Sequence, residues 1–199
     1  MLRRTTRLPI LIALVGLIAL LVAFGPPERS LGVHVRVVYL HGAWVWTALV
    51  GFAAAAAAGA VGLAFRRRPL QMWSGSFARA AMVFWVTYLP ISLVAMQANW
   101  NGLFLDEPRW RIGLDFAIVA VLLQAGLHAL GRPAWASALN IVFFGALVLA
   151  LVNAQQVMHP ASPIISSPSS EIRAYFAVLV GLCMLTGWQL ARWFQRASA

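Results

Sequence analysis

Hydrophobic positions run along this chain in unbroken blocks rather than in alternation. Six blocks stand out, at roughly 8–25, 38–65, 77–97, 112–130, 136–156 and 173–194. Each approaches or exceeds the roughly 20 residues that a helix needs to cross the hydrocarbon core of a bilayer. Continuous apolar runs predict a helical bundle, whereas a spanning barrel shows a period of two. The expected fold is therefore all-α: a polytopic membrane bundle of six transmembrane helices, forming a single domain over residues 1–199. In the second block, Gly51, Ala55 and Gly59 recur every four residues beside the run Ala53 to Ala58. Small residues at that spacing let helix backbones approach closely, so this stripe predicts packing rather than chemistry. The stretch from Pro160 to Ser170 is rich in Pro and Ser and predicts irregular structure. The first block follows Arg3, Arg4 and Arg7 in the manner of a signal peptide. No small-x-small cleavage pattern precedes Pro26-Pro27, so it is expected to stay as the first helix.

Composition strengthens the membrane reading. The chain is 62% hydrophobic and 10% charged, against about half and about a quarter for soluble domains. Its formal charge of +10 comes from arginine alone, because there is no lysine. In a soluble protein such a charge suggests nucleic acid. Here the arginines gather at block ends, which points to topology and membrane lipids as partners, and to no nucleic acid. Arg3, Arg4, Arg7, Arg66, Arg67, Arg68, Arg79, Arg132, Arg192 and Arg196 lie at one set of ends without a single acid. The alternate connections hold the remaining arginines and every acid: Glu28, Asp106, Glu107, Asp115 and Glu171. The positive-inside rule then puts both termini in the cytoplasm and the first, third and fifth connections outside. The single cysteine, Cys183, excludes an intrachain disulfide and a covalent Cys-x-x-Cys-His heme site, and reads as a small core residue.

Four histidines carry the candidate chemistry. On this topology His34, His41 and His159 are extracytoplasmic, and His128 lies near the other face. His41 opens the second helix and His159 closes the fifth or begins the loop after it. If those helices are neighbours, both rings can face one porphyrin, and imidazole is a usual axial ligand of heme iron. The other reading of each is an interfacial histidine bonded to water or backbone. Trp44 follows His41 by three residues and so shares its face; Trp100, Phe104 and Trp110 occupy the third connection. These rings suit a flat macrocycle, or else form the ordinary aromatic belt of a membrane protein. Arg36, Arg109, Arg111 and Arg173 can pair with heme propionates, or with the local acids and lipid phosphates. The inventory lacks a Gly-rich phosphate loop, an HExxH pair and a buried chain of carboxylates. Nothing in it calls for an enzyme.

Two segments carry a family resemblance. Arg36-Val-Val-Tyr-Leu-His41, followed by Ala43-Trp44, resembles the Arg-Ile-x-Tyr-Leu-His-Val-Pro-x-Ala-Trp segment of the CcmC family, heme-handling proteins of the CcmC/CcmF/CcsA group of cytochrome c assembly. The Phe24-Gly-Pro-Pro lead-in and the segment Leu139-Asn-Ile-Val to Val157-Met-His159-Pro-Ala-Ser162 are also similar. The resemblance implies six helices, His41 and His159 as axial ligands of noncovalent heme b, and heme presentation to a periplasmic chaperone alongside other cytochrome c maturation subunits. It implies a ligand-exchange platform, not an enzyme. One departure is clear. The family's tryptophan-rich loop, Trp-Gly-x-Trp-Trp-x-Trp-Asp-x-Arg, is replaced by Trp100-Asn-Gly-Leu-Phe-Leu-Asp106-Glu-Pro-Arg109-Trp110, in which Trp100, Gly102, Asp106 and Arg109 are the remnants. This puts heme handover in doubt more than iron ligation. The alternative function is a heme-free structural or accessory subunit that kept the fold. A b-type electron-transfer subunit fits less well, since no two histidines share a suitable depth inside the helices.

Overall fold

The computed structural model describes residues 7–158 and 163–197, with the side chains of Arg7 and Ala197 left aside. Six helices follow one another: α1 (Arg7–Ala23), α2 (Val35–Ala64), α3 (Arg68–Trp100), α4 (Pro108–Leu130), α5 (Pro133–Val152) and α6 (Ser170–Ala197). Among the described residues, α2 to α6 are long and apolar enough to cross a membrane. The 17 residues of α1 reach about 25 Å at 1.5 Å per residue. The six apolar blocks thus become six helices, as expected for a helical membrane bundle.

Their ends differ from the hydrophobic blocks for local reasons. Helix α3 begins at Arg68, well before the expected start near residue 77, because Pro69 occupies its first turn, where a missing N–H costs nothing. The polar residues that follow are compatible with a helix in apolar surroundings because the bundle satisfies them: the Ser76 hydroxyl reaches Gln195 Oε1 on α6 at 2.6 Å and the Met72 carbonyl at 3.1 Å, and the Gln71 amide donates to the Gly62 carbonyl at 3.0 Å. Pro108 and Pro133 likewise open α4 and α5. Asn153 ends α5 earlier than the apolar run does, its side-chain amide donating to the Leu149 carbonyl at 2.7 Å. Gly131 (φ 62°) and Asn101 (φ 53°) stop α4 and α3 in the left-handed conformation, which these residue types tolerate best.

Helices α2 and α3, joined by a three-residue turn, form the central hairpin. Helix α2 packs on α5 and α6 as well, α3 on α4, α5 and α6, and α1 leans on α6. The small-residue stripe does what its spacing predicts. A Cβ on Gly51 would lie 2.9 Å from the Cβ of Ala81, and one on Gly59 3.0 Å from the Ser137 carbonyl oxygen. The core between them is aromatic: Phe52 packs its ring 4.9 Å from Phe143 and 6.1 Å from Trp85. Toward the Arg66 end, Gln124 donates to Asn140 at 3.0 Å and Asn140 to Ser74 at 3.1 Å, a buried polar chain tying α4, α5 and α3 together. Cys183 is fully buried in α6 and unbridged, as its apolar setting predicts.

Candidate functional site

The second turn of α2 sets the candidate site. Tyr39 and Ala43 are fully buried, and between them His41 is half-buried. Helical geometry thus turns the imidazole away from the face of Tyr39 and Ala43, leaving it half-buried with its Nδ1 covered. Its ring lies 5.7 Å, centroid to centroid, from that of Tyr88 on α3. Gly42 faces the other way, and its missing side chain admits Phe176 and Ile164, which would lie 3.3 and 3.5 Å from a Cβ there. Ile164 belongs to the loop between α5 and α6, so that loop returns to the turn that carries His41. His159, five positions earlier in the same loop, lies outside the described residues.

Two hydrogen bonds hold the entry to α2, and a third ties α6 to α1 beside it. Arg36 Nε donates to the Gly25 carbonyl at 2.9 Å, the Tyr39 hydroxyl to the Pro26 carbonyl at 3.2 Å, and the Tyr175 hydroxyl to the Leu21 carbonyl at 2.8 Å. The first two staple the connection between α1 and α2 onto α2, and the third fastens the end of α1 to α6. In that connection the Ser30 hydroxyl, then the Ser30 and Leu31 amides, donate to Glu28 and hold its carboxyl below the usual range.

The aromatic residues named by the sequence take distinct places. Trp44 turns toward α3, as His41 does. Its indole N–H donates to Thr87 at 2.8 Å and its ring lies 4.8 Å from Phe84. Trp100 is half-buried at the end of α3, with Phe104 edge-on to it at 5.7 Å. Trp110 and Arg109 are half-buried in the first turn of α4. Arg111 pairs with Asp106 at 3.4 Å on the exposed surface, an ion pair of small energetic weight. Arg173 donates to the Ser167 carbonyl at 3.0 Å.

Sequence reasoning missed three residues at this end. Asp106, matched to the family's acidic position, is 97% exposed; the acid built into the fold is its neighbour Glu107, 4% exposed. One carboxylate oxygen of Glu107 caps α4 by accepting the Trp110 amide at 2.7 Å. Its other oxygen, the Trp110 indole nitrogen and the Asn99 amide oxygen are buried with no hydrogen-bond partner among the described residues. The second missed residue is Tyr88, and the third is Gly113, which receives the Tyr88 phenol. A Glu-Pro pair opening an apolar run is a helix-start signal and points to Glu107; no sequence signal marks Tyr88 or Gly113.

The chain matches no family model, no curated protein and no solved structure. The resemblance to the CcmC family therefore stands on the segments quoted above. Among the described residues no group of His, Cys, Asp and Glu forms a metal-ion cluster. A groove of about 430 Å³ between Phe24, Pro26, Glu171 and Tyr175 opens at the same end of the bundle but does not include His41.

Proposed function

We propose that this protein binds heme noncovalently at the extracytoplasmic face of a bacterial cytoplasmic membrane and presents it to an acceptor during cytochrome c biogenesis. The observation that carries the reading is the place of His41: a half-buried imidazole between two fully buried residues, backed by the Tyr88 ring, in a turn of α2 whose other side, at Gly42, packs against the loop that also holds His159 in the sequence. The donor chemistry fits a macrocycle with iron at its centre, since two neutral imidazoles are a usual axial set. Heme in this reading is cargo. His41 and His159 ligate its iron, Trp100 and Trp110 line it, and Arg109 faces its propionates. Trp44 acts one step back, because its one polar hydrogen already serves Thr87, while Arg36 is anchored through Nε to the Gly25 carbonyl and keeps its terminal N–H groups for a propionate. The arginine distribution orients the chain, with both termini cytoplasmic and the His41 end outside. A periplasmic heme chaperone and other maturation subunits are the partners this reading names.

The test is the visible spectrum of the full-length protein purified from heme-replete cells. A Soret band in the wild type that disappears in the His41→Ala, His159→Ala double variant is the expected result. A colourless wild type overturns the proposal. The engaged indole of Trp44 favours one rival, a heme-free accessory subunit. Colourless protein that co-purifies at fixed stoichiometry with another membrane complex would establish that rival.

A further inference from the structure

We infer that Tyr88 is the positioning residue for His41, and that Gly113 is what allows Tyr88 to take that place. Three helices meet in this contact. From α3, the Tyr88 ring lies 5.7 Å from the His41 ring on α2, while its phenol end lies over Gly113 on α4. The fit at Gly113 is absolute: a Cβ there would sit 1.3 Å from the phenol oxygen and 2.6 Å from the ring carbon that bears it. Even alanine at 113 displaces Tyr88. Gly113 is gripped a second time by Trp85, one turn earlier on α3. The Trp85 indole N–H donates to the Gly113 carbonyl at 3.1 Å, and its ring packs 4.9 Å from that of Tyr88.

Tyrosines near a membrane surface usually turn their hydroxyl toward water. Tyr88 does the reverse: it is 4% exposed and aims its hydroxyl across the bundle at α4. A buried aromatic locked at both ends has one rotamer open to it, so it forms a fixed wall on which the half-buried imidazole rests. Residues that orient a metal-ligating histidine typically matter about 10- to 100-fold in metal affinity when removed. The functional meaning of this wall rests on the heme reading, but the wall itself can be tested without heme.

The experiment uses full-length protein in detergent and two readouts: the rate of diethylpyrocarbonate modification of His41, followed by mass spectrometry, and the affinity for added hemin. The exposed His34 and His128 serve as internal standards. Tyr88→Phe keeps the ring and should match the wild type in both. Tyr88→Leu and Gly113→Ala should each raise His41 modification relative to the standards and weaken hemin binding by about ten-fold. If Gly113→Ala does not fold, Tyr88→Leu decides alone. Wild-type protein that ignores hemin, with His41 still unmasked in Tyr88→Leu, removes the heme reading and leaves the positioning role standing. Folded Tyr88→Leu protein with wild-type His41 modification and wild-type hemin affinity overturns the inference.

Discussion

At the scale of single residues, this bundle is governed by what is missing from its glycines. Gly51, Gly59 and Gly113 each stand where a methyl group would meet a neighbouring helix, and membrane helices associate through such close contact because lipid offers no hydrophobic drive between them. Gly126 is the natural contrast, with nothing within 4 Å of its would-be Cβ. Gly59→Val is expected to destabilise the protein by about 1–3 kcal/mol, the usual cost of overpacking, because the Ser137 backbone cannot yield as a flexible side chain would. Gly126→Val should leave stability nearly unchanged. Thermal or denaturant unfolding of the two variants in the same detergent checks the pair, and equal losses would remove close packing as the role of Gly59.

At the scale of elements, the turn between α2 and α3 controls the central hairpin. Its three residues force the two longest helices into antiparallel contact, and Arg66 adopts φ 50° to close it. A non-glycine residue in the left-handed region costs about 1 kcal/mol or more, and arginine lacks the short polar side chain that makes this conformation more tolerable for asparagine. Arg66→Gly should therefore raise stability by about 1 kcal/mol, seen as a higher unfolding midpoint, with Arg67 and Arg68 still marking this end. A lower midpoint would show that the Arg66 side chain contributes more than its backbone costs. The start of α4 shows a different device. Glu107 and Pro108 begin the helix by a cap and a preset φ, and the same cap buries the Glu107 carboxylate.

At the scale of the whole molecule, the proposed orientation can be read by labelling, because the native thiol of Cys183 is fully buried. A membrane-impermeant maleimide should label Leu103→Cys in intact cells and should not label Arg132→Cys until the membrane is opened; the opposite pattern would invert the proposed topology. The sequence by itself determined the helical class, the six segments and the role of the Gly51-Ala55-Gly59 stripe. Those depend on properties that every residue carries locally: apolar length against bilayer thickness and side-chain size at helical spacing. It also singled out His41, since an imidazole among Tyr, Leu and Trp at the mouth of an apolar run is a local anomaly. The tertiary structure alone decided what surrounds that imidazole. Tyr88 and Gly113 lie 47 and 72 positions further along the chain by their numbering, and neither is unusual among its neighbours. Their meeting with His41 is settled only when α2, α3 and α4 pack. Burial likewise separated Glu107 from Asp106, adjacent acids of the same chemistry, because the first turn of α4 seals one carboxylate inside and leaves the other in the open.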